Sequence, residues 1–429
     1  MPAPEISPVP SSNHPPSHRR SAFSALHHRD FRLLWIGQII SVTGSQMQLV
    51  AINWHVYLLT KSPLALGAVG LVRVVPIILC SLLGGLVADA FDRRRLILIS
   101  QTVMLLSAGA LAAFTWFGLE SVWPIYLLTA ISSAAVAFDN PARQALLPML
   151  VPAGTFPNAV SLGLIAFQVS MISGPALAGI ILSEMGPALV YSINALSFVA
   201  VIVAVVLIRT SGRSASAEGE RSRISIGALR EGLGFVRRTP IIVQTMTLDF
   251  VATFFASATA LLPIFAAEIL HVGPRGLGVL ASAPAIGSVM AALVMARLGV
   301  VRRQGAIVIG SIAVYGLATI GFGLSTAFWL SLIMLAVLGA ADTVSTILRQ
   351  TIRQLVTPNY LRGRMTSVNM MFFMGGPQLG EMEAGVLARL VGASLSVIAG
   401  GIGCLIAIAL ALRLAPNLRH YEDGPEPNP

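Results

Sequence analysis

Residues 64–117 read LALGAVGLVRVVPIILCSLLGGLVADA, then FDRRR, then LILISQTVMLLSAGALAAFTWF. Two apolar runs, 64–90 and 96–117, flank a break whose Asp92, Arg93, Arg94 and Arg95 are all charged. A helix needs about 20 apolar residues to cross the hydrocarbon core of a bilayer. Each run supplies that length, and neither alternates as a barrel strand would. The stretch therefore predicts a helical hairpin through a membrane, with a cationic turn in water.

The same pattern continues in both directions. Spans are expected at 31–57, 64–90, 96–117, 122–147, 158–183 and 187–208. After a polar stretch, six more are expected at 241–267, 276–298, 305–325, 328–348, 366–390 and 393–414. Breaks such as Lys61-Ser62-Pro63, Glu184-Met185-Gly186-Pro187 and Gly273-Pro274 carry turn-forming residues. The fold class is an all-α membrane protein of twelve transmembrane helices. Composition agrees: among 429 residues 55% are hydrophobic and 11% charged, with a mean hydropathy of +0.81, too little charge to cover a water-soluble surface. The tails, 1–24 and 416–429, are polar and proline-rich and are expected to be disordered and cytoplasmic. No apolar signal segment precedes the first span.

Arginine placement sets the orientation. With the N-terminus in the cytoplasm, twenty-four of the 28 Lys and Arg residues fall in inside loops or at inside ends. Lys61, Arg275 and Arg389 fall outside, and Arg73 lies within a span. The net charge of +10 is thus a membrane topology signal, and no nucleic-acid partner is expected. Trp54, Trp116, Trp123 and Trp329 fall near outer span ends, as an interfacial belt would.

The polar stretch 209–240 divides the spans six and six. Arg143-Gln144 with Pro152 and Ser161 is echoed 206 residues later by Arg349-Gln350 with Pro358 and Ser367. Pro63, Leu66 and Gly67 are echoed 211 residues later by Pro274, Leu277 and Gly278. These echoes predict two pseudo-symmetric six-helix bundles, 25–208 and 241–415, joined by a cytoplasmic linker, with a substrate site between them near the midplane. Within the linker, 226–238 has the charge of a short basic surface helix or of a solvated tether.

The loop that opened the reading, Gly85-Leu86-Val87-Ala88-Asp89-Ala90-Phe91-Asp92-Arg93-Arg94-Arg95, resembles the G-x-x-x-D-R/K-x-G-R-R/K signature of the major facilitator superfamily. Gly85, Asp89, Arg93 and Arg94 match it; Ala90 and Asp92 depart from its basic residue and glycine. The resemblance implies a cytoplasmic gate built from the matching residues. Phe138-Asp139-Asn140-Pro141-Ala142-Arg143-Gln144 and Asn158-Ala159-Val160-Ser161-Leu162 resemble the branch that contains the enterobactin exporter and the macrolide and multidrug efflux proteins. That resemblance covers residues 25–415 and implies a monomeric proton antiporter of the bacterial inner membrane. It implies export of a siderophore such as enterobactin, with macrolide or multidrug efflux as the alternative and proton-coupled uptake as a third reading. Gly174-Pro175 with Gly179 also resembles part of the drug-antiporter motif.

Charges in the hydrocarbon cost a few kcal/mol each and mark function by default. Asp249, Glu381, Arg73, Asp139 and Asp342 are therefore the candidates for proton coupling or for the substrate cavity. Glu381 and Glu383 lie about 200° apart around a helix, so at most one faces a cavity squarely. Gln38, Gln46, Asn53, Phe138, Phe250 and Phe254 are candidates to line it. His55 is expected to make interfacial hydrogen bonds. The chain carries no phosphate loop, no HExxH and no GxSxG elbow, so neither an ATP-driven pump nor an enzyme is expected. Cys80 and Cys404 form no metal spacing, and no cofactor or metal is expected.

Overall fold

The computed structural model describes residues 23–210, 234–299, 301, 303–358 and 362–414, without the side chains at 81–90, 258, 362–364, 366–374 and 414. The regular elements among the described residues are all helical, with no strand among them. In chain order the elements are α1 (Arg29–Thr60), α2 (Pro63–Ala90), α3 (Arg93–Trp116) and α4 (Val122–Leu150). One helical stretch, Phe156–Leu207, is broken by Gly186, whose φ of 76° is open to a residue without a Cβ. Its arms, 156–185 and 187–207, are α5 and α6. They run antiparallel: Trp35 near the start of α1 donates to Leu162 O of α5 (2.9 Å), while Gln48, further along α1, accepts from Asn194 of α6 (2.7 Å). The second half holds α7 (Pro240–Phe255), α8 (Gly273–Leu298), α9 (Gln304–Leu324), α10 (Phe328–Val356), α11 (Arg362–Val391) and α12 (Ala393–Leu414). Among the described residues nine stretches, counting Ala153–Leu207 as one, are long and apolar enough to cross a membrane. α1 and α11 fall outside that set, as the most polar of the long helices.

Helix pairing repeats between the halves. In the first, α2 packs on α4, α4 on α3, and α3 on the 156–207 hairpin; in the second, α8 packs on α10, α10 on α9, and α9 on α12. The echoes at 206 and 211 residues thus fall on equivalent helices.

Helix ends at the arginine-rich face interlock within the first half. Asp92, where the superfamily signature has glycine, is the N-cap of α3 and accepts from the backbone N–H of Arg94 (2.9 Å) and Arg95 (3.3 Å). Arg94 then reaches the carbonyls that end α6, Val205 O (3.1 Å) and Val206 O (3.4 Å). Asp30 accepts from Arg209 N (3.0 Å), Thr210 N (2.9 Å) and Thr210 Oγ1 (2.7 Å). Ser24–His27 form a 3-10 turn in which Ala25 N–H donates to Asn158 Oδ1 (2.9 Å). Most of 226–238 lies outside the described residues. Its last five residues, 234–238, are helical, and Val236 is buried against Ile242, Met246 and Met365.

Two expectations need correction. The span 241–267 is not one helix: α7 ends at Phe255 and is followed by a 3-10 turn (Ala258–Leu261), a short α-turn (Leu262–Ile264) and a π-turn (Phe265–Ile269). No Gly or Pro stands where α7 stops; Pro263 comes later, at the start of the short α-turn. Other helices satisfy the freed backbone and side-chain groups instead: Tyr315 of α9 donates to Ala256 O (3.3 Å), and Ser257 donates to Pro377 O of α11 (2.9 Å). Nor is Trp54 part of an interfacial belt. Trp116, Trp123 and Trp329 are exposed, but Trp54 is 8% exposed and packs inside the protein, because that face of α1 turns toward the second half.

The core shows how the halves meet. One apolar cluster spans both, running from Met47, Trp54 and Tyr57 through Leu66 and Tyr191 to Phe265, Leu277, Phe322 and Ala384. It lies at the arginine-poor end. The other clusters each belong to one half: Phe31, Ile97, Leu146 and Val205 in the first, and Val308, Leu348, Ile352 and Cys404 in the second. Among the described residues the halves share a core at one end and pack separately at the other.

Candidate functional site

The seal is two crossings of equivalent construction. At the first, α11 meets α2: a Cβ on Gly385 would lie 2.7 Å from Pro63 O and 2.9 Å from Gly67 Cα. At the second, α5 meets α8: a Cβ on Gly179 would lie 2.8 Å from Pro274 O and 2.9 Å from Gly278 Cα. Gly67 and Gly278 are 211 residues apart, and Gly179 and Gly385 are 206 apart. The duplication visible in the sequence therefore builds both crossings, and glycine at all four places lets backbone meet backbone.

One turn deeper the equivalence fails. On the α2–α11 crossing stand Arg73 and Glu381; the Glu381 carboxylate lies against Gly70, where a Cβ would be 2.5 Å from Oε2, and Arg73 acts on it electrostatically. The matching positions on the α5–α8 crossing are Pro284 and Pro175. One seam carries an arginine and a carboxylate where the other carries two prolines.

A cavity of 220 Å³ opens directly below the seal, bounded by both halves. α1 contributes Gln46 and Asn53, α5 contributes Met171 and Pro175, the irregular turns after α7 contribute Thr259 and Pro263, and α8 contributes Pro284. Glu381 is the one charged residue in its described lining. A larger cavity of 440 Å³, lined by residues such as Met295, Gln304 and Thr351, lies among α8, α9 and α10 of a single half, with no charged residue in its described lining. Of the two, the smaller is the one bounded by both halves, which makes it the candidate site.

The structure brings together Glu381, Arg73, Gln46 and Asn53. It sets the other candidates apart. Asp249 is buried in the second half, 2.6 Å from Arg349 of α10, which also donates to Ser345 Oγ (2.9 Å) and Thr346 Oγ1 (3.0 Å). Asp342 and Arg353 stand in the same charge cluster. Asp139 accepts from Gln101 Nε2 (3.0 Å) and pairs with Arg143 on its own helix. Arg143 and Arg349 are themselves 206 residues apart, so each half holds an equivalent arginine by a carboxylate of its own. Phe138 packs in the core of the first half. Phe250 stacks on Phe254, with ring centroids 6.0 Å apart. Neither they nor Gln38 line the cavity. Gly85 and Asp89 lie on α2, where side chains are outside the described residues. Sequence reasoning missed Met171, Thr259, Pro263 and Pro284, which are apolar or weakly polar and sit in apolar runs; only the prolines carried a signal.

Two polar links also cross the seal near the arginine-poor surface. Tyr57 Oη donates to Glu268 Oε1 in the π-turn (2.7 Å), and Arg275 pairs with Glu184 and donates to Ser183 Oγ (3.0 Å). The second pair is exposed and contributes about 0–1 kcal/mol.

The family described as transmembrane secretion effectors, within the major facilitator superfamily, matches residues 20–425. The chain belongs to the major facilitator superfamily. Among the chain's relatives is the multidrug efflux pump Tap of Mycolicibacterium fortuitum, 25% identical over 92% of this chain and 98% of that one. Another is the enterobactin exporter EntS of Escherichia coli (strain K12), 23% identical over 93% of this chain and 94% of that one. A solved structure described as a bacterial homolog to human lysosomal transporter Spinster, in an inward-facing and unoccupied conformation, shares the fold: TM-score 0.71, 14% identity, 92% of this chain and 99% of that one. As a superfamily member the chain is a multi-span membrane transporter and not an enzyme.

Proposed function

We propose that the chain exports a small amphipathic molecule from the cytoplasm across the bacterial inner membrane, by alternating access coupled to proton entry. The arginine distribution supports a cytoplasmic placement of both termini and of the arginine-rich face. On that placement, the described conformation is sealed outside and faces inward.

The observation that carries the coupling is the single lining carboxylate, Glu381, set against Arg73 on one seam while prolines occupy the equivalent seam. A carboxylate in a low-dielectric cavity holds a proton readily, and an arriving cationic or hydrogen-bonding cargo favours its release. With the proton released inward, the Glu381 charge is met by Arg73 and by cargo. Cargo and carboxylate then cross as a neutralised set, which lowers the cost of moving charge through the midplane. Re-exposure outward reloads the proton and frees the cargo. Gln46, Asn53 and Thr259 supply hydrogen bonds, while Met171 and the prolines supply apolar contact. Both seams, both halves of the cavity and the polar links lie in one chain, which supports a monomeric transporter.

With no cation among the described lining residues, the cavity favours a neutral or cationic cargo, as in drug efflux. Export of a catecholate siderophore, carried neutral, is the second reading; the enterobactin exporters among the relatives favour it. The test of coupling is Glu381→Gln in proteoliposomes, where transport driven by a proton gradient should vanish while cargo exchange without a gradient persists. Full gradient-driven transport by this variant would refute the assignment. A deletion strain assayed for siderophore secretion under iron limitation, beside drug susceptibility, separates the two cargoes.

A further inference from the structure

We propose that His55 and Glu120 form a second proton-binding site, distinct from Glu381, at the arginine-poor end of the first half. His55 is 2% exposed. It follows Asn53 by two residues and so projects about 200° away from it around α1, toward α6 rather than the cavity. There its Nδ1 shares a hydrogen bond with Tyr191 Oη (3.1 Å), with the rings 5.9 Å apart.

The other ring nitrogen is different. Nε2 is buried and makes no close hydrogen bond; Glu120 Oε2 of the α3–α4 connection faces it at the ion-pair distance of 3.7 Å. Glu120 is 39% exposed, so its carboxylate faces the imidazole on one side and the medium on the other. The polar groups deeper in the same α1–α6 seam are paired. Gln48 Oε1 accepts from Asn194 Nδ2 (2.7 Å), and Ser197 Oγ donates to Asn194 Oδ1 (3.0 Å). Nε2 is therefore the place in this seam where a ring nitrogen faces a carboxylate without yet making a close hydrogen bond to it.

A proton meets that need. The ring, hydrogen-bonded through Nδ1, takes up a proton from water through Glu120 and becomes an imidazolium. Both of its N–H groups are then donors, Nδ1 to Tyr191 Oη and Nε2 to Glu120 Oε2. Closing 3.7 Å to a charge-assisted hydrogen bond requires a shift of under an ångström in an exposed side chain. Among the described residues the titratable groups facing His55 are Glu120 from the connection and Tyr191 from α6. The bound proton ties the α3–α4 connection onto α1, and two residues further along α1 Tyr57 makes the link to Glu268 in the other half. Proton site and seal share one turn of helix.

The test uses the full chain in lipid nanodiscs with its histidines labelled at ¹³Cε1, and the His55 resonance identified by its loss in His55→Gln. Across about pH 4.5–8.5, a range that brackets ordinary imidazole titration, His55 should titrate reversibly. Glu120→Gln, a change on an exposed connection, should cut the imidazolium fraction at any given pH several-fold. Glu381→Gln should leave the titration where it is, which keeps this result separate from the antiport assignment. A His55 resonance that stays constant across the range, or that titrates identically in Glu120→Gln, would overturn the proposal.

Discussion

Asp249 and Glu381 look alike in the sequence: each is a carboxylate within an apolar run, Glu381 with Glu383 two residues further on. Their surroundings separate them. Glu381 lines a cavity between the halves, whereas Asp249 is locked to Arg349 with both side chains almost wholly buried, 6% and 2% exposed. Removing one member of a buried ion pair leaves the other charge stranded, at a cost of about 3–5 kcal/mol. Asp249→Asn is therefore expected to lower stability by that order, read as a fall in the thermal midpoint of purified protein. Asp249→Asn combined with Arg349→Met should recover part of the loss, because the stranded charge is gone. The intramembrane carboxylates were legible from sequence, but their partners were not. Arg349 belonged equally to the inside-positive pattern, and what linked it to a structural role was its echo of Arg143, a clue about duplication rather than about pairing.

At the scale of elements, the helices and most of their ends follow from run length and turn residues, while the irregular stretch after α7 does not. Ala256 and Ser257 end a helix because Tyr315 and Pro377, distant in sequence, take up the local hydrogen bonds; the local composition offers only Pro263, six residues further on. The glycine crossings were half legible. The echo of Pro63, Leu66 and Gly67 was visible, but which helices they would meet was not. Gly385→Val should hold the α2–α11 crossing apart, since even a Cβ there would lie 2.7 Å from Pro63 O. Spin labels on Lys61→Cys and Arg389→Cys should then report a population with longer distances than the parent; an unchanged distance distribution would contradict the crossing. At the opposite face, Asp30 ties the start of α1 to the end of α6. Although partial burial works against it, hydrogen bonds from Thr210 and Arg209, with Arg29 nearby, hold the Asp30 carboxyl below its ordinary value of 3.8. A depressed carboxylate stabilises the fold above its unfolded value, and that contribution is lost as pH falls through the depressed range. Asp30→Asn should lower the thermal midpoint by about 2–4 °C at neutral pH, and the gap from the parent should close below about pH 4.

For the molecule as a whole, the buried position of Trp54 supplies an optical consequence. Trp54 packs in the apolar cluster that joins the halves, whereas Trp116, Trp123 and Trp329 are exposed on the outer rim and Trp35 is hydrogen-bonded to α5 within one half. If the halves part at this end, Trp54 is the indole whose surroundings change from dry side chains to water. A chain in which the other four tryptophans are phenylalanine would carry a single native chromophore inside its moving joint. Its emission should shift to longer wavelength, and become quenchable by iodide, each time the transporter turns to face the other side.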